Sequence, residues 1–360
     1  MMFALNSIVL KGFRCYNEAS FSFSNKNKII FCGKNASGKT SVVEAIHYLA
    51  FAKSFRTNND EELITSFDNN SSTLYLKGTF NDGTITEIGF DGSTKLIKVN
   101  GKRIKSIAEM IGYFMIGLFS PEDLLLVKGE PKIRRKYIDS SLCQVDSEYL
   151  RALQINKKVL KERNEYLKSL DCDASKLNNT YLDAITKTYI ETCEIIERKR
   201  HNFINEINNI SSNVASKISD EKDTIKIKLI PNVNVDNFWI TYAERKMQDL
   251  YAKTTTWGPQ RDDFSVEING KDAYSSASQG QIRTTCISLK LAVVEYYKKI
   301  TKNIIIILDD VFSELDEIRQ NKILDFFDEN YQVFITTTNI NLLTKNALNN
   351  SEIIEISRGE

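Results

Sequence analysis

The stretch Gly33-Lys-Asn-Ala-Ser-Gly-Lys-Thr40 constrains the fold more than any other part of this chain. It follows the apolar run KIIFC, residues 28–32, and opens a run with helical spacing from about Lys39 to Phe51. G-x-x-x-x-G-K-[ST] between a strand and a helix is a phosphate-binding loop, and it demands an α/β sheet with the loop at the carboxyl end of a strand. Gly33 and Gly38 let the backbone wrap closely. Successive N–H groups of Lys34, Asn35, Ala36, Ser37, Lys39, Thr40 and Ser41 can then line a cradle for phosphate oxygens. Lys39 brings a point charge to the β and γ oxygens, and the Thr40 hydroxyl suits Mg²⁺. The helix N-terminus adds partial positive charge. ATP with Mg²⁺ is the expected ligand pair.

Ile304-Ile-Ile-Ile-Leu-Asp-Asp310 reads as a buried parallel strand that delivers two acids to the phosphate edge of such a sheet. Asp309 is expected to hold Mg²⁺ through its water shell, and Asp310 to orient the attacking water. Standing alone, the pair would read as an acidic turn after a core strand. Ser278-Gln279-Gly280-Gln281 opens another helical run, with Ile282, Cys286, Leu289, Val293 and Tyr296 at helical spacing. Its hydroxyl, its glycine and the helix dipole suit an anion; alone it reads equally as a plain N-cap. The order along the chain is phosphate loop, inserted region, Ser-Gln-Gly-Gln, acidic strand end, then Ser313-Glu-Leu-Asp316. That order resembles the ABC ATPase layout, in which the signature element of one subunit caps the γ-phosphate held by the other. The resemblance implies a homodimer on ATP, with Ser278, Gln279, Gly280 and Gln281 serving the partner chain's nucleotide.

Around these motifs, Asn-Asp-Gly, Asp-Gly and Asn-Gly-Lys turns separate TLYLKGTF, TITEIGF and TKLIKV, which predicts a small antiparallel meander. YFMIGLF, residues 113–119, is a further buried strand. From Ile133 to about Asp220 the period turns helical: Leu153, Leu160 and Leu167 fall seven apart, as do Leu182, Tyr189, Ile196, Phe203 and Ile210. With a turn at residues 171–179, this predicts an antiparallel hairpin with arms of about 30 to 40 residues, roughly 45 to 60 Å long, or else an ordinary helical domain with those residues as core. After Pro231 the α/β alternation returns in FSVEI, NIIIIL, QVFITT and SEIIEI. The expected fold is α/β: an ABC-type P-loop ATPase core with an antiparallel β-subdomain and an inserted, coiled-coil-like helical lobe. Residues 1–120 would form the first half of the ATPase lobe, 121–230 the inserted lobe and 231–360 the second half.

With 48 basic and 47 acidic residues, bulk charge gives no argument for nucleic acid, so any such surface must be a local patch. Candidate clusters are Lys132/Arg134/Arg135/Lys136, Lys157/Lys158/Lys161/Arg163 and Arg198/Lys199/Arg200, each of which reads otherwise as a solvated helix face. Six scattered cysteines without a C-x-x-C pair and only two histidines argue against a zinc site or a disulfide framework. Reduced thiols suit a cytoplasmic protein. No apolar run reaches the roughly 18 residues that span a bilayer, and MMFALNSIVLKGF reads as a strand rather than an export signal. No membrane partner is expected.

Several stretches resemble the RecF family of bacterial recombination mediators, from residue 8 to beyond 330. They are IVLKGFRCYNEASFSF (8–23), Lys53-Ser-Phe-Arg-Thr57, Phe119-Ser-Pro-Glu-Asp-Leu124, Lys128-Gly-Glu-Pro131, Arg134-Arg-Lys136, Gly258-Pro-Gln-Arg-Asp-Asp263, the Ser-Gln-Gly-Gln element and Leu308-Asp-Asp-Val-Phe-Ser-Glu-Leu-Asp316. Gln260 stands where the family usually has His. Ile335-Thr-Thr-Thr338 lacks the switch histidine of transporter ATPases, which puts a transporter reading in doubt and leaves the RecF one intact. The resemblance implies a slow, DNA-stimulated ATPase that dimerises on ATP and binds duplex DNA at single-strand gaps with RecR. In a pathway with RecO it would promote RecA loading, in DNA replication, recombination, repair and the SOS response. It brings Arg14 to the nucleotide phosphates and sets Ser120–Asp123 where related proteins have the Q-loop. It makes Lys53, Arg56, Lys132, Arg134, Arg135 and Arg261 candidates for DNA or nucleotide contact, or for pairing with neighbouring acids. One rival is an SMC-like chromosome-maintenance ATPase, which needs hundreds of heptad residues where about 100 lie between Pro131 and Pro231. The other is a non-DNA ABC-type binding or transport ATPase.

Overall fold

The computed structural model describes residues 2–65, 73–177, 179–219, 223–327 and 329–357. In chain order the strands are β1 (Leu5–Phe13), β2 (Tyr16–Ser22), β3 (Lys28–Cys32), β4 (Leu74–Phe80), β5 (Ile85–Phe90), β6 (Lys95–Val99), β7 (Lys102–Arg103), β8 (Met115–Phe119), β9 (Ile225–Ile230), β10 (Asp263–Ile268), β11 (Lys271–Asp272), β12 (Ile304–Asp309), β13 (Gln332–Thr337) and β14 (Ser351–Glu355). The helices of two turns or more are α1 (Lys39–Phe51), α2 (Pro131–Val145), α3 (Ser147–Ser169), α4 (Thr180–Ser219), α5 (Phe238–Ala252), α6 (Gln279–Lys298) and α7 (Glu317–Leu324). The chain folds into two compact units, Met1–Asp123 with Lys290–Glu360, and Leu124–Leu289.

In the first unit, both ends of the chain contribute to one parallel sheet, ordered β14-β3-β13-β12-β8. Strand β12, four isoleucines and a leucine before Asp309, is buried along its whole length, as a parallel strand covered on both faces must be. The second sheet is the antiparallel β2-β1-β4-β5-β6-β7. Its strands β4 and β5 alternate buried and half-buried residues, the period-2 signature of a sheet with one face on the core. Helix α1 packs on strands of both sheets. Phe31, Phe334, Ile305 and Ile307 of the parallel sheet share one core with Leu10, Phe13, Leu76 and Ile88 of the antiparallel one.

In the second unit, α3 and α4 pack along each other. They have 23 and 40 residues, or roughly 35 and 60 Å at the helical rise. Leu167, Leu182, Tyr189, Ile196 and Phe203 lie buried on the expected seam, while Leu153, Leu160 and Ile210 are half-buried. The middle of the α3 face is polar: Asn156 and Arg163 are buried there. Helix α4 also backs the small sheet β11-β10-β9. The Asn208 amide bonds both the N–H and the carbonyl of Ile227, at 2.6 Å each, and so covers the open edge of β9. Tyr189, Ile190, Phe238, Tyr242 and Trp257 form a core. Helices α3 and α4, joined through the expected turn and packed along each other, thus form a hairpin that is itself part of a packed domain. That domain continues to Leu289, beyond the expected return at residue 231. The reason is strand pairing: β10 hydrogen-bonds to β9, which keeps residues 231–289 with the inserted unit.

Candidate functional site

The phosphate loop leaves β3, the strand between β14 and the central β13 of the parallel sheet, and ends in α1. Its backbone is committed to a tight wrap. Ala36 and Gly38 take left-handed conformations, with φ of 61° and 113°. A Cβ on Gly38 would lie 2.5 Å from the Tyr16 hydroxyl, and one on Gly33 would lie 2.3 Å from the Ile356 carbonyl oxygen. Packing therefore requires glycine at both positions, and at Gly38 the backbone conformation requires it as well. Lys34, Asn35 and Ala36 are exposed at the rim, while Ser37 and Lys39 are buried. Lys39 Nζ donates to the carbonyls of Gly33 at 2.6 Å and Lys34 at 2.8 Å, so it lies across its own loop. Burial pushes its pKa down, against the charges of Asp310, Cys32 and Asp309.

Strand β12 ends beside this loop, separated from β3 by β13 alone. Asp309 Oδ1 accepts from Thr40 Oγ1 at 3.0 Å and from Thr336 Oγ1 at 2.7 Å. Burial raises the Asp309 pKa, and these two hydroxyls oppose the shift. Thr336 also accepts from the Asp310 N–H at 2.9 Å. Asp310 has φ 53°, a left-handed conformation that turns its side chain off the strand line. Its Oδ1 is buried without a hydrogen-bond partner, and so is Ser37 Oγ. Two orphaned buried polar atoms at one sheet edge, beside a lysine held by carbonyls, are a site awaiting a polar ligand. Among the described residues no cluster of three His, Cys, Asp or Glu side chains could hold a metal ion. A cation here would rest on Thr40, Asp309 and its ligand's own oxygens. In the sequence Thr336 lies within Ile335-Thr-Thr-Thr338 with no sign of this role, because a threonine in a strand reads as ordinary β-branched filling.

Arg14 stands in the turn between β1 and β2 with φ 53°. Its guanidinium grips the buried Glu44 of α1 through Nε and Nη2, at 2.9 and 2.7 Å. The Ser54 hydroxyl donates to the same carboxylate, and Arg56 Nη1 lies 3.7 Å from it. Glu44 was also missed in the sequence; its signal is a lone acid inside the apolar run Val42-Val-Glu-Ala-Ile46. Ser120 and Asp123 form a turn in which Asp123 accepts from the Ser120 N–H at 2.9 Å and pairs with Lys290 at 2.6 Å.

In the second unit, Ser278 and Gln281 form a reciprocal capping box at the start of α6. The Gln281 N–H donates to Ser278 Oγ at 3.3 Å, and the Ser278 N–H donates to Gln281 Oε1 at 3.1 Å. The serine is an N-cap, and as it only accepts in that bond its own O–H remains able to donate. Ser278 and Gln279 are exposed.

The basic candidates divide sharply. Arg163 is fully buried, paired with Asp249 at 2.9 Å and set near the rings of Tyr242 and Trp257. Arg200 is buried between Asp139 and Asp262, and Lys199 pairs with Asp146 and Glu148. Arg163 and Arg200 therefore cannot face a polyanion, which corrects the two helical clusters that contained them. Arg134 forks onto Asp263 at 2.8 and 2.9 Å, Arg135 donates to the Asp262 carbonyl at 2.6 Å, and Arg261 donates to the Thr255 carbonyl at 3.3 Å. Gln260, in the position of the usual His, lies 2.8 Å from the Tyr189 hydroxyl and donates to the Trp257 carbonyl. Lys53 and Lys132 are exposed. A basic surface not anticipated is the β6–β7 hairpin. Residues 92–108 hold five cations and no acid. Lys95 pairs with Asp60; Lys98, Lys102, Arg103 and Lys105 make no ion pair among the described residues.

Comparison with known proteins gives a consistent picture. The RecF/RecN/SMC N terminal domain family matches residues 4–359. The DNA replication and repair protein RecF of Halalkalibacterium halodurans is 37% identical over 370 residues, covering 99% of this chain and 98% of the relative. The protein of the same name from Staphylococcus epidermidis is 33% identical over 369 residues, covering 99% of both. A solved structure of the recombination mediator protein RecF with ATP, in the RecFOR pathway, superposes with a TM-score of 0.89 at 29% identity, over 100% of this chain and 97% of that one. The Smc head domain with an extended coiled coil from Pyrococcus furiosus, at 17% identity and a TM-score of 0.56, shares the fold; it matches 99% of this chain and 94% of its own.

Proposed function

The chain belongs to the RecF family, within the RecF/RecN/SMC N terminal domain group, and from that premise we propose that it is an ATPase of DNA replication and repair that grips duplex DNA while ATP is bound. The observation that carries this reading is the sheet edge where Lys39, Thr40, Asp309 and Asp310 meet. ATP, bound with Mg²⁺, supplies the phosphoanhydride and the divalent charge that neutralises it. Lys39 exchanges its two loop carbonyls for β and γ oxygens. The backbone N–H groups from Lys34 to Ser41 cradle the phosphates, with Ser37 Oγ as an added donor. Thr40 and Asp309, already 3.0 Å apart, hold the cation. Asp310 Oδ1 orients the water that attacks in line. Arg14 turns from Glu44 to the phosphates.

The second half of each site comes from another copy. Ser278 offers its free O–H, and α6 its N-terminal dipole, to the partner chain's γ-phosphate. Two sites then need two chains, so ATP drives pairing and hydrolysis releases it. Duplex and gapped DNA are held mainly through phosphates, with Lys53, Lys132 and the β6–β7 hairpin as the free cations in place of the paired Arg134, Arg135 and Arg261. RecR as companion at the gap, with RecO and RecA in the pathway, completes the reading; its setting is the cytoplasm. Retention of a gapped duplex tests it. A non-hydrolysable ATP analogue should raise retention at least tenfold over ADP, with a steep loss on adding salt. Equal retention with either nucleotide would overturn the reading.

A further inference from the structure

Glu44 is the only fully buried carboxylate in the first unit that faces two arginines among the described residues. It lies one turn beyond Thr40 in α1, with no solvent exposure. Arg14 holds both of its oxygens, at 2.7 and 2.9 Å, and donates through Nη1 to the Glu62 carbonyl at 3.0 Å. Arg56 waits at 3.7 Å, about an ångström beyond hydrogen-bond contact, on a side chain that is 47% exposed. Ser54 ties the two together. Its hydroxyl donates to Glu44 and accepts the Arg56 N–H at 2.9 Å, so the 54–57 turn is mounted on the carboxylate. A buried carboxylate stripped of its cation is strongly unfavourable. Arg14 can therefore leave Glu44 for a phosphate only if another cation closes in.

We infer that Glu44 is passed between the two arginines: it parks Arg14, and Arg56 moves onto it when Arg14 turns to a nucleotide phosphate. Glu44 and Arg56 are then positioning residues, and Arg56 sets nucleotide affinity from outside the phosphate cradle. The inference rests on the reading of Arg14 as a phosphate contact, and the two can fail separately.

The test measures the affinity of the full chain for a fluorescent non-hydrolysable ATP analogue in five variants. Arg14→Ala and Arg56→Ala should each weaken binding about tenfold. In Arg56→Ala the loss arises because Glu44 will not release its one remaining arginine. Glu44→Gln removes the charge that traps Arg14, so it should bind at least as tightly as the natural chain. The double variant Arg56→Ala with Glu44→Gln should return to within about twofold of Glu44→Gln. If it stays as weak as Arg56→Ala, Arg56 touches nucleotide directly and the handover is wrong. Normal affinity in Arg14→Ala would sink the phosphate role of Arg14 and the handover with it. Arg56→Lys leaves Glu44 untouched and keeps a cation in reach, so its affinity should exceed that of Arg56→Ala severalfold; equal weakness would also overturn the proposal. A thermal midpoint for each variant separates a folding defect from a binding one.

Discussion

The helical unit and the edge of the parallel sheet both bury charge, and they treat it in opposite ways. In the helical unit Arg163 meets Asp249, Thr186 and Thr255, while Arg200 meets Asp139, Asp262, Tyr149 and the Pro259 carbonyl. Cation and anion close on each other, and rings of Trp257, Tyr242 and Phe264 cover them. At the sheet edge Lys39 leans on carbonyls that a better acceptor can replace, and Ser37 Oγ and Asp310 Oδ1 have no hydrogen-bond partner. The first arrangement is finished within the chain and holds a scaffold. The second is incomplete within the chain and describes a ligand. Burial of a charged residue therefore says little about function until its partners are counted.

The sharpest way to break this contrast is to delete one cation from each region. Arg200→Ala strands the Asp139 and Asp262 carboxylates and should cost about 3–5 kcal/mol of stability. Denaturant unfolding reads this, and a loss under 1 kcal/mol would refute the scaffold role. Lys39→Ala should do the reverse: nucleotide affinity falls about a hundredfold and ATP-driven DNA retention disappears, while the unfolding midpoint stays put. Asp310→Asn should still bind ATP and pair, yet turn over about a hundredfold more slowly; hydrolysis at the natural rate would remove Asp310 from its role. The smallest effect belongs to the surface. Lys102→Glu with Arg103→Glu should weaken gapped-duplex binding severalfold and flatten its salt dependence by roughly one unit per lost phosphate contact. The same reversal at Arg134, already spent on Asp263, should disturb folding instead.

The two regions also differed in how much of them could be read from sequence. The sheet edge was legible because its chemistry is local: eight residues give the loop, and a run of isoleucines ending in two aspartates gives the acids. Its supporting partners were not. Thr336 reads as a strand threonine, and Glu44 is joined to Arg14 across 30 positions. The helical unit was legible only as a seam. Leu182, Tyr189, Ile196 and Phe203 announced it, but Arg163 reads in sequence as one of a basic cluster or a solvated face, whereas it is buried with Asn156 in the middle of the α3 face. The boundary at Leu289 was out of reach because it follows from β9 pairing with β10 across more than 30 residues. Nothing local in FSVEI distinguishes a strand of the insert from a strand of the ATPase sheet. Gly258-Pro-Gln-Arg-Asp-Asp263 marked the family, while its physical task, anchoring Arg134 and Arg200 through its two aspartates, needed coordinates.

The central claim is that each nucleotide site is completed by a second copy, and light scattering of mixed variants tests it most directly. Lys39→Ala chains and Ser278→Arg chains, each alone with a non-hydrolysable ATP analogue, should keep the mass of one chain. Mixed, they should yield a species of two chains, because the intact loop of one faces the intact Ser278 of the other. Pairing by Ser278→Arg alone at the natural strength, or no pairing in the mixture while the unaltered chain pairs, would contradict the account.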